Sequence, residues 1–387
     1  MGAAVWADQG FAALDGKRVG VITNAAATVG ETPLVDAMLL ADVDVVSVFA
    51  AEHGFEADLA AGVAVPDLVD ARRRLTVHSL YGANRAPTPE TLAEIDVLVF
   101  DLQDVGVRAY TYLATMALAM EAAAAADVEF VVLDRPNPLG GERIEGWVRR
   151  TGFESFVSQL PVPAVHGMTA GEVANVVHRE QWLATDGLQL TIARVDGWSR
   201  GDGWEATGLP WRAPSPSLPS VDSVVVYPGV VLLEATSVSV GRGTDAPFAL
   251  VGAPWVDGEV LAAALEGRGL PGVRFEAATF TPAATPSVPS PPFDGEEISG
   301  VRIVVVDAGE VEPFALGVHL LAELDGLADE AGVGSVIDRP DFLDLLAGTD
   351  QLRLALADGR SADDITAEWE GDVRRFLDLR APHLLYG

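Results

Sequence analysis

Short runs of β-branched and other apolar residues recur through the first 140 residues, each closing in a polar cluster and passing into helical spacing. Arg18-Val-Gly-Val-Ile-Thr-Asn24 is the first. A helix is predicted around Pro33–Leu40, with Pro33 in its first turn, where the missing N–H has no intrahelical partner. Val43–Ala50 is the second run and leads into Glu52-His53-Gly54, and Leu75–Ser79 is a weaker third that ends at Tyr81-Gly82. Asp96–Asp101 is the fourth, followed by a strong helix over Thr111–Ala126. Glu129–Leu133 is the fifth, ending in Asp134-Arg135-Pro136-Asn137-Pro138. Unbroken apolar runs mark strands buried on both faces, and their alternation with helices predicts a mostly parallel sheet of the α/β class. Such sheets bind ligands outside the carboxyl ends of their strands. Those ends carry Asn24, Glu52, His53, Tyr81, Asp101, Gln103, Asp104, Asp134, Arg135 and Asn137.

Another helix is predicted after His166-Gly167-Met168, where Thr169 and Glu172 have capping-box spacing. Residues 196–220, with Trp198, Trp204 and Trp211, read as a long ordered loop, and Val221–Leu233 reads as a strand. Past about residue 250 the pattern changes. Strand-like Val273–Phe280 and Val301–Asp307 flank a proline-rich stretch, and amphipathic helices are expected near 313–324, 340–346 and 362–379. The expected division is a catalytic domain over residues 1–250 and a smaller α+β auxiliary domain over 251–387.

Charge narrows the partners. With 57 acidic and 25 basic residues the net charge is −32, a field that repels nucleic acid. No apolar run reaches the ~20 residues of a membrane-spanning helix. No signal peptide is visible, so a cytoplasmic location is expected for the chain as given, and an extracytoplasmic one if a signal has been removed. Cysteine is absent, which excludes thiolate metal sites and cysteine nucleophiles. No strand-to-helix turn carries G-x-G-x-x-G, and Lys17, the one lysine, is not in a P-loop. H-E-x-x-H and G-x-S-x-G are missing too. No cofactor and no metal is expected, although Asp101 and Asp104 have the oxygen chemistry a Mg²⁺ accepts, as a metal-dependent sugar-phosphate enzyme would need.

What remains is an excess of carboxylates at strand exits. Glycoside hydrolysis needs one carboxylic acid to protonate the leaving oxygen and a second group to attack or stabilise the sugar or to activate water. Glu52, following an apolar run and preceding the turn-forming Gly54, fits the general acid; a surface carboxylate or helix cap is the competing reading. Asp101, Gln103, Asp104, Arg108, Tyr110 and Tyr112 crowd within twelve residues. That is too dense in polar groups for simple packing; holding the loop together is the competing reading for part of the cluster, and an internal ion pair the competing reading for Asp134-Arg135.

Phe49-Ala-Ala-Glu-His-Gly-Phe55, the stretch Val97–Arg108, Val132-Leu-Asp-Arg-Pro-Asn-Pro138, His166-Gly-Met-Thr169, Tyr227-Pro-Gly229 and Gly241-Arg-Gly-Thr244 together resemble the DUF1343 family, whose characterised members are exo-acting β-N-acetylmuramidases of the NamZ type. The resemblance runs from about residue 11 to Tyr386. It implies a Rossmann-like domain with a C-terminal auxiliary domain, a cleft between them, and release of N-acetylmuramic acid from the non-reducing end of peptidoglycan fragments. It places the family's Glu-His-Gly glutamate on Glu52, with Asp104 or Asp101 as the second acidic group. Asn24, His53, Tyr81, Gln103, Tyr110, Asp134, Asn137, His166 and Arg242 are then sugar contacts, and Arg108, Arg135 and Arg242 are candidates for the lactyl carboxylate. One departure stands out. The family commonly has Glu-Gly-Arg-Gly where this chain has Val240-Gly-Arg-Gly, which raises a different sugar preference or a non-catalytic saccharide-binding protein as the alternative.

Overall fold

A computed structural model describes all of residues 1–387. The chain opens with α1 (Gly2–Asp8), β1 (Val19–Thr23), a small hairpin of β2 (Thr28–Val29) and β3 (Thr32–Pro33), α2 (Leu34–Leu40) and β4 (Val45–Ala50). Then come β5 (Leu68–Asp70), β6 (Leu75–Ser79), the single turn α3 (Pro89–Leu92), β7 (Val97–Asp101), α4 (Tyr112–Ala125), β8 (Glu129–Leu133), α5 (Ala170–Arg179) and β9 (Leu190–Ala193). The remainder holds α6 (Val221–Val230), β10 (Leu250–Ala253), α7 (Gly258–Glu266), β11 (Val273–Phe280), β12 (Ile298–Val305) and α8 (Pro313–Glu330). It ends with α9 (Pro340–Ala347), α10 (Gln351–Ala357), α11 (Ala362–Thr366) and α12 (Glu370–Arg380). No helix is long and apolar enough to cross a membrane.

The first sheet runs β5-β6-β4-β1-β7-β8-β9, parallel except for the edge strand β5. Without β5 this is the Rossmann order, in which the chain reverses direction across the sheet beside β1. The strand period of two sends Leu98 and Phe100 to one face and Val97 and Val99 to the other, so β7 is buried on both sides. One face is covered by α1 and α2, the other by α4 and α5. Pro33 stands just before α2 as its N-cap, not inside the first turn. Thr169 and Glu172 make the expected capping box on α5.

Val221–Leu233 corrects the expectation of a strand. It is a helix, α6, followed by a tight 3₁₀ turn over Val231–Ala235. Ser220 Oγ caps it by accepting from the Ser223 N–H at 3.2 Å. Ser223–Val230 are all buried, so packing on every side overrides the strand preference of the valines. Its neighbour is α8, and the helices meet at Gly229 and Gly317, where a Cβ on either would collide with the other's backbone. The second sheet is antiparallel, ordered β10-β12-β11.

The two halves share one core, which runs from α4 and α5 through α6 into α8 and α9. Polar ties reinforce it. Buried Glu145 accepts at Oε2 from the N–H groups of Phe314 (2.9 Å) and Ala315 (3.1 Å) at the start of α8, while its Oε1 has no partner. Residues 380–386 return to the first half: Arg380 donates to the carbonyls of Gly141 and Gly167, and Leu385 N–H donates to Glu172 at 2.8 Å.

Candidate active site

Beyond the carboxyl end of β4 the chain reverses sharply through His53 and Gly54, both at positive φ (71° and 77°). The reversal turns the Glu52 side chain toward the start of α4. Its Oε1 accepts from the Gly62 N–H and its Oε2 from the Thr111 hydroxyl, each at 2.7 Å. Thr111 immediately precedes α4, so the carboxylate sits at the positive end of a fourteen-residue helix. His53 points Nδ1 at the Leu59 carbonyl, 2.8 Å away, which assigns the proton to Nδ1. Burial lowers its pKa.

These residues form one wall of a cavity of about 630 Å³ between the halves of the molecule. Tyr81, Tyr110 and Thr111 stand on the same wall; Tyr227, Glu234, Arg242, Phe248, Arg339 and Phe342 stand opposite. Aromatic edges continue across it, Tyr110 to Tyr227 at 6.1 Å and Tyr227 to Phe248 at 4.9 Å. Arg242 donates to Glu234 at 2.6 Å and to Ser217 Oγ at 2.9 Å, and lies over the Phe248 ring. Burial and the Glu52 carboxylate push the Tyr81 phenol up to about 12. The Tyr227 phenol is raised by burial and then by the charge of Glu234, with Glu52 and Asp104 adding smaller contributions.

The structure brings Glu52, His53, Tyr81, Tyr110 and Arg242 into this cavity and leaves the other expected residues outside its lining. Asp101 is sealed in a buried ion pair with Arg135, whose Nη2 donates at 3.0 Å; the pair considered for Asp134-Arg135 is made instead by Asp101. Asn24 braces the cavity from behind, donating to the Tyr112 hydroxyl at 2.9 Å, and itself lines a separate groove. Gln103 donates to the carbonyls of Asp104 and Pro136, and Asn137 to that of Met168. All three guanidinium bonds of Arg108 go to carbonyls, those of Trp147 and Val162 at 2.7 Å and Leu346 at 2.9 Å. Burial pushes its pKa down to about 9. Asp134 collects the Thr169 hydroxyl (2.7 Å), the Gly171 N–H (2.8 Å) and the Tyr386 hydroxyl (2.6 Å), and burial still raises it to about 6. His166, expected at the rim, is fully buried; its Nε2 lies 3.7 Å from Asp104 Oδ2. Burial raises Asp104 to about 7 and lowers His166 to about 3, so the imidazole is neutral.

Family models for the exo-β-N-acetylmuramidase NamZ match this chain, the N-terminal one over residues 19–222 and the C-terminal one over residues 225–386. The chain belongs to the NamZ family. Over 381 residues it is 38% identical to the peptidoglycan β-N-acetylmuramidase NamZ of Bacillus subtilis, covering 96% of this chain and 88% of that protein. A crystal structure of a DUF1343 family protein from Bacteroides fragilis matches with a TM-score of 0.91 at 36% identity, covering 100% of this chain and 98% of that one. A second DUF1343 protein of the same organism matches with a TM-score of 0.79 at 31% identity, over 99% and 98% of the two chains.

In this NamZ-family chain the sequence reading does not reach Thr111, Ser217, Tyr227, Glu234, Phe248 and Arg339 as cavity residues. Glu234 carried a usable signal, since it lies eight residues before Arg242, its partner. Tyr227, within α6, stood in the quoted Tyr227-Pro-Gly229 motif, while Thr111, Ser217, Phe248 and Arg339 lie on loops and helix starts that only tertiary packing brings together. Val240 lines the cavity and is 4% exposed, so the wall is apolar where the NamZ motif commonly carries a glutamate.

Proposed function

We propose that this protein releases N-acetylmuramic acid from the non-reducing ends of peptidoglycan fragments, with Glu52 as general acid. A carboxyl group held by two donors in a sugar-sized cavity is the observation that carries the reading. Fixing both oxygens sets the direction in which a proton is delivered to the glycosidic oxygen. Tyr81, Tyr110 and Phe248 offer apolar surface for the sugar ring. Asp101 is consumed by Arg135 and Asp104 is shielded behind the cavity wall, so Glu234, oriented by Arg242, is the second acidic group in this reading. The family supports the substrate class, and turnover of cell-wall fragments is the process such an activity serves.

The aglycone supplies the test. Protonation matters for a poor leaving group such as the 4-hydroxyl of N-acetylglucosamine and little for 4-nitrophenol. Glu52→Gln is expected to cut kcat/KM on the muramic acid–glucosamine disaccharide by about 10²- to 10⁴-fold, and much less on 4-nitrophenyl β-N-acetylmuramide. Activity on the disaccharide within about threefold of wild type, well short of that range, removes Glu52 from the acid role.

A further inference from the structure

N-acetylmuramic acid differs from N-acetylglucosamine by a lactyl ether that bears a carboxylate. An enzyme with a net charge of −32 repels that anion unless the cavity itself offers a cation. Three arginines were the sequence-based candidates, and the structure spends all three. Arg108 is committed to three carbonyls, Arg135 to Asp101, and Arg242 to Glu234 and Ser217.

We propose that Arg339 is the specificity-determining residue that receives the lactyl carboxylate, an inference that rests on the muramidase reading above. Arg339 lines the cavity at the start of α9, and its side chain is about half exposed. The nearest carboxylate is that of its neighbour Asp338, 3.9 Å away and itself in solvent, so the guanidinium fork is uncommitted. Its position is nevertheless fixed. The Arg339 N–H donates to the Ala235 carbonyl at 3.1 Å, one residue from Glu234, and the guanidinium lies 4.9 Å over the Phe342 ring. The free cation is therefore built on the same frame as the Glu234–Arg242 pair. A planar fork over an aromatic face suits bidentate capture of a carboxylate, a geometry that lysine does not reproduce.

The test separates the charge from the rest of the sugar by comparing 4-nitrophenyl β-N-acetylmuramide with its lactyl methyl ester. Arg339→Gln is expected to lower kcat/KM on the free acid by about 10- to 100-fold, mainly through KM, as loss of a charge-assisted hydrogen bond does. On the ester it should match wild type, and that same activity shows that the variant is folded. Arg339→Lys should fall between the two. A loss within about twofold on the free acid, or an equal loss on both substrates, overturns the assignment. Calorimetry with free N-acetylmuramic acid and its methyl ester keeps the two readings apart. If wild type cleaves neither glycoside, the muramidase reading falls, while weaker binding of the acid alone by Arg339→Gln still upholds the role of Arg339, and unchanged binding rejects it.

Discussion

Glu145 is where the two halves of the protein store an electrostatic cost. Two amides at the start of α8 and the nearby Arg143 charge favour its ionised form, yet burial outweighs them and raises the carboxyl to about 8 from an ordinary 4.5. A carboxyl whose folded-state pKa is raised holds its proton more tightly when folded. Its stabilising effect is therefore complete below 4.5 and is lost as pH climbs through 8. At ~1.4 kcal/mol per pH unit, the full interval is worth up to about 5 kcal/mol. Glu145→Gln keeps an oxygen for the Phe314 and Ala315 amides and removes the titration. Urea unfolding of both proteins should show the variant gaining on wild type by about 3 kcal/mol between pH 5.5 and pH 8.5. Every other group titrates in both proteins and cancels in the difference. A difference that stays flat across this range, or that shrinks as pH rises, refutes the reasoning.

Two further outcomes follow from the bonds around the cavity. Arg108→Met leaves the carbonyls of Trp147 and Leu346 buried without a donor and takes from Val162 its shorter bond, leaving it the Arg149 N–H at 3.3 Å; it should cost about 3 kcal/mol, read as a fall in Tm of roughly 4 °C. An unchanged Tm would show that solvent reaches those carbonyls. Thr111→Val keeps the shape but removes one of the two donors that aim Glu52; kcat on the disaccharide should drop by roughly tenfold with KM nearly constant, since alignment acts on the transition state. A change confined to KM would place Thr111 in substrate binding instead.

The sheet was legible because β1, β4, β7 and β8 must be apolar on both faces, which leaves an unbroken hydrophobic run that no other local structure needs. α6 was illegible for a related reason. Buried all round, it has no polar stripe to betray a helical period, and its valines mimic a strand. At the site, polarity at strand exits proved to report two demands at once. Glu52 and His53 line a cavity, while Asp101, Gln103 and Asn137 bond the buried loops that surround it, and a single sequence marks both alike. Arg108 shows the ambiguity most clearly: an arginine four residues from Asp104 reads as an anion receptor, yet it bonds three backbone carbonyls, two in loops and one in α9. The far wall escaped because Glu234 and Arg339 come to line one cavity with Glu52 only when the second half packs onto the first.

The clasp of Tyr386 on Asp134 bears on how such proteins are taken apart. A fragment severed near residues 222–225, where the two family models part, would carry off the whole parallel sheet yet forfeit the phenol that quenches its buried acid. It would also lose the guanidinium of Arg380 that closes the Gly141 and Gly167 turns. Chimeras that graft this half onto a foreign partner therefore need the 380–386 segment supplied in trans or stitched on, because the bonding runs across the point where the two family models part.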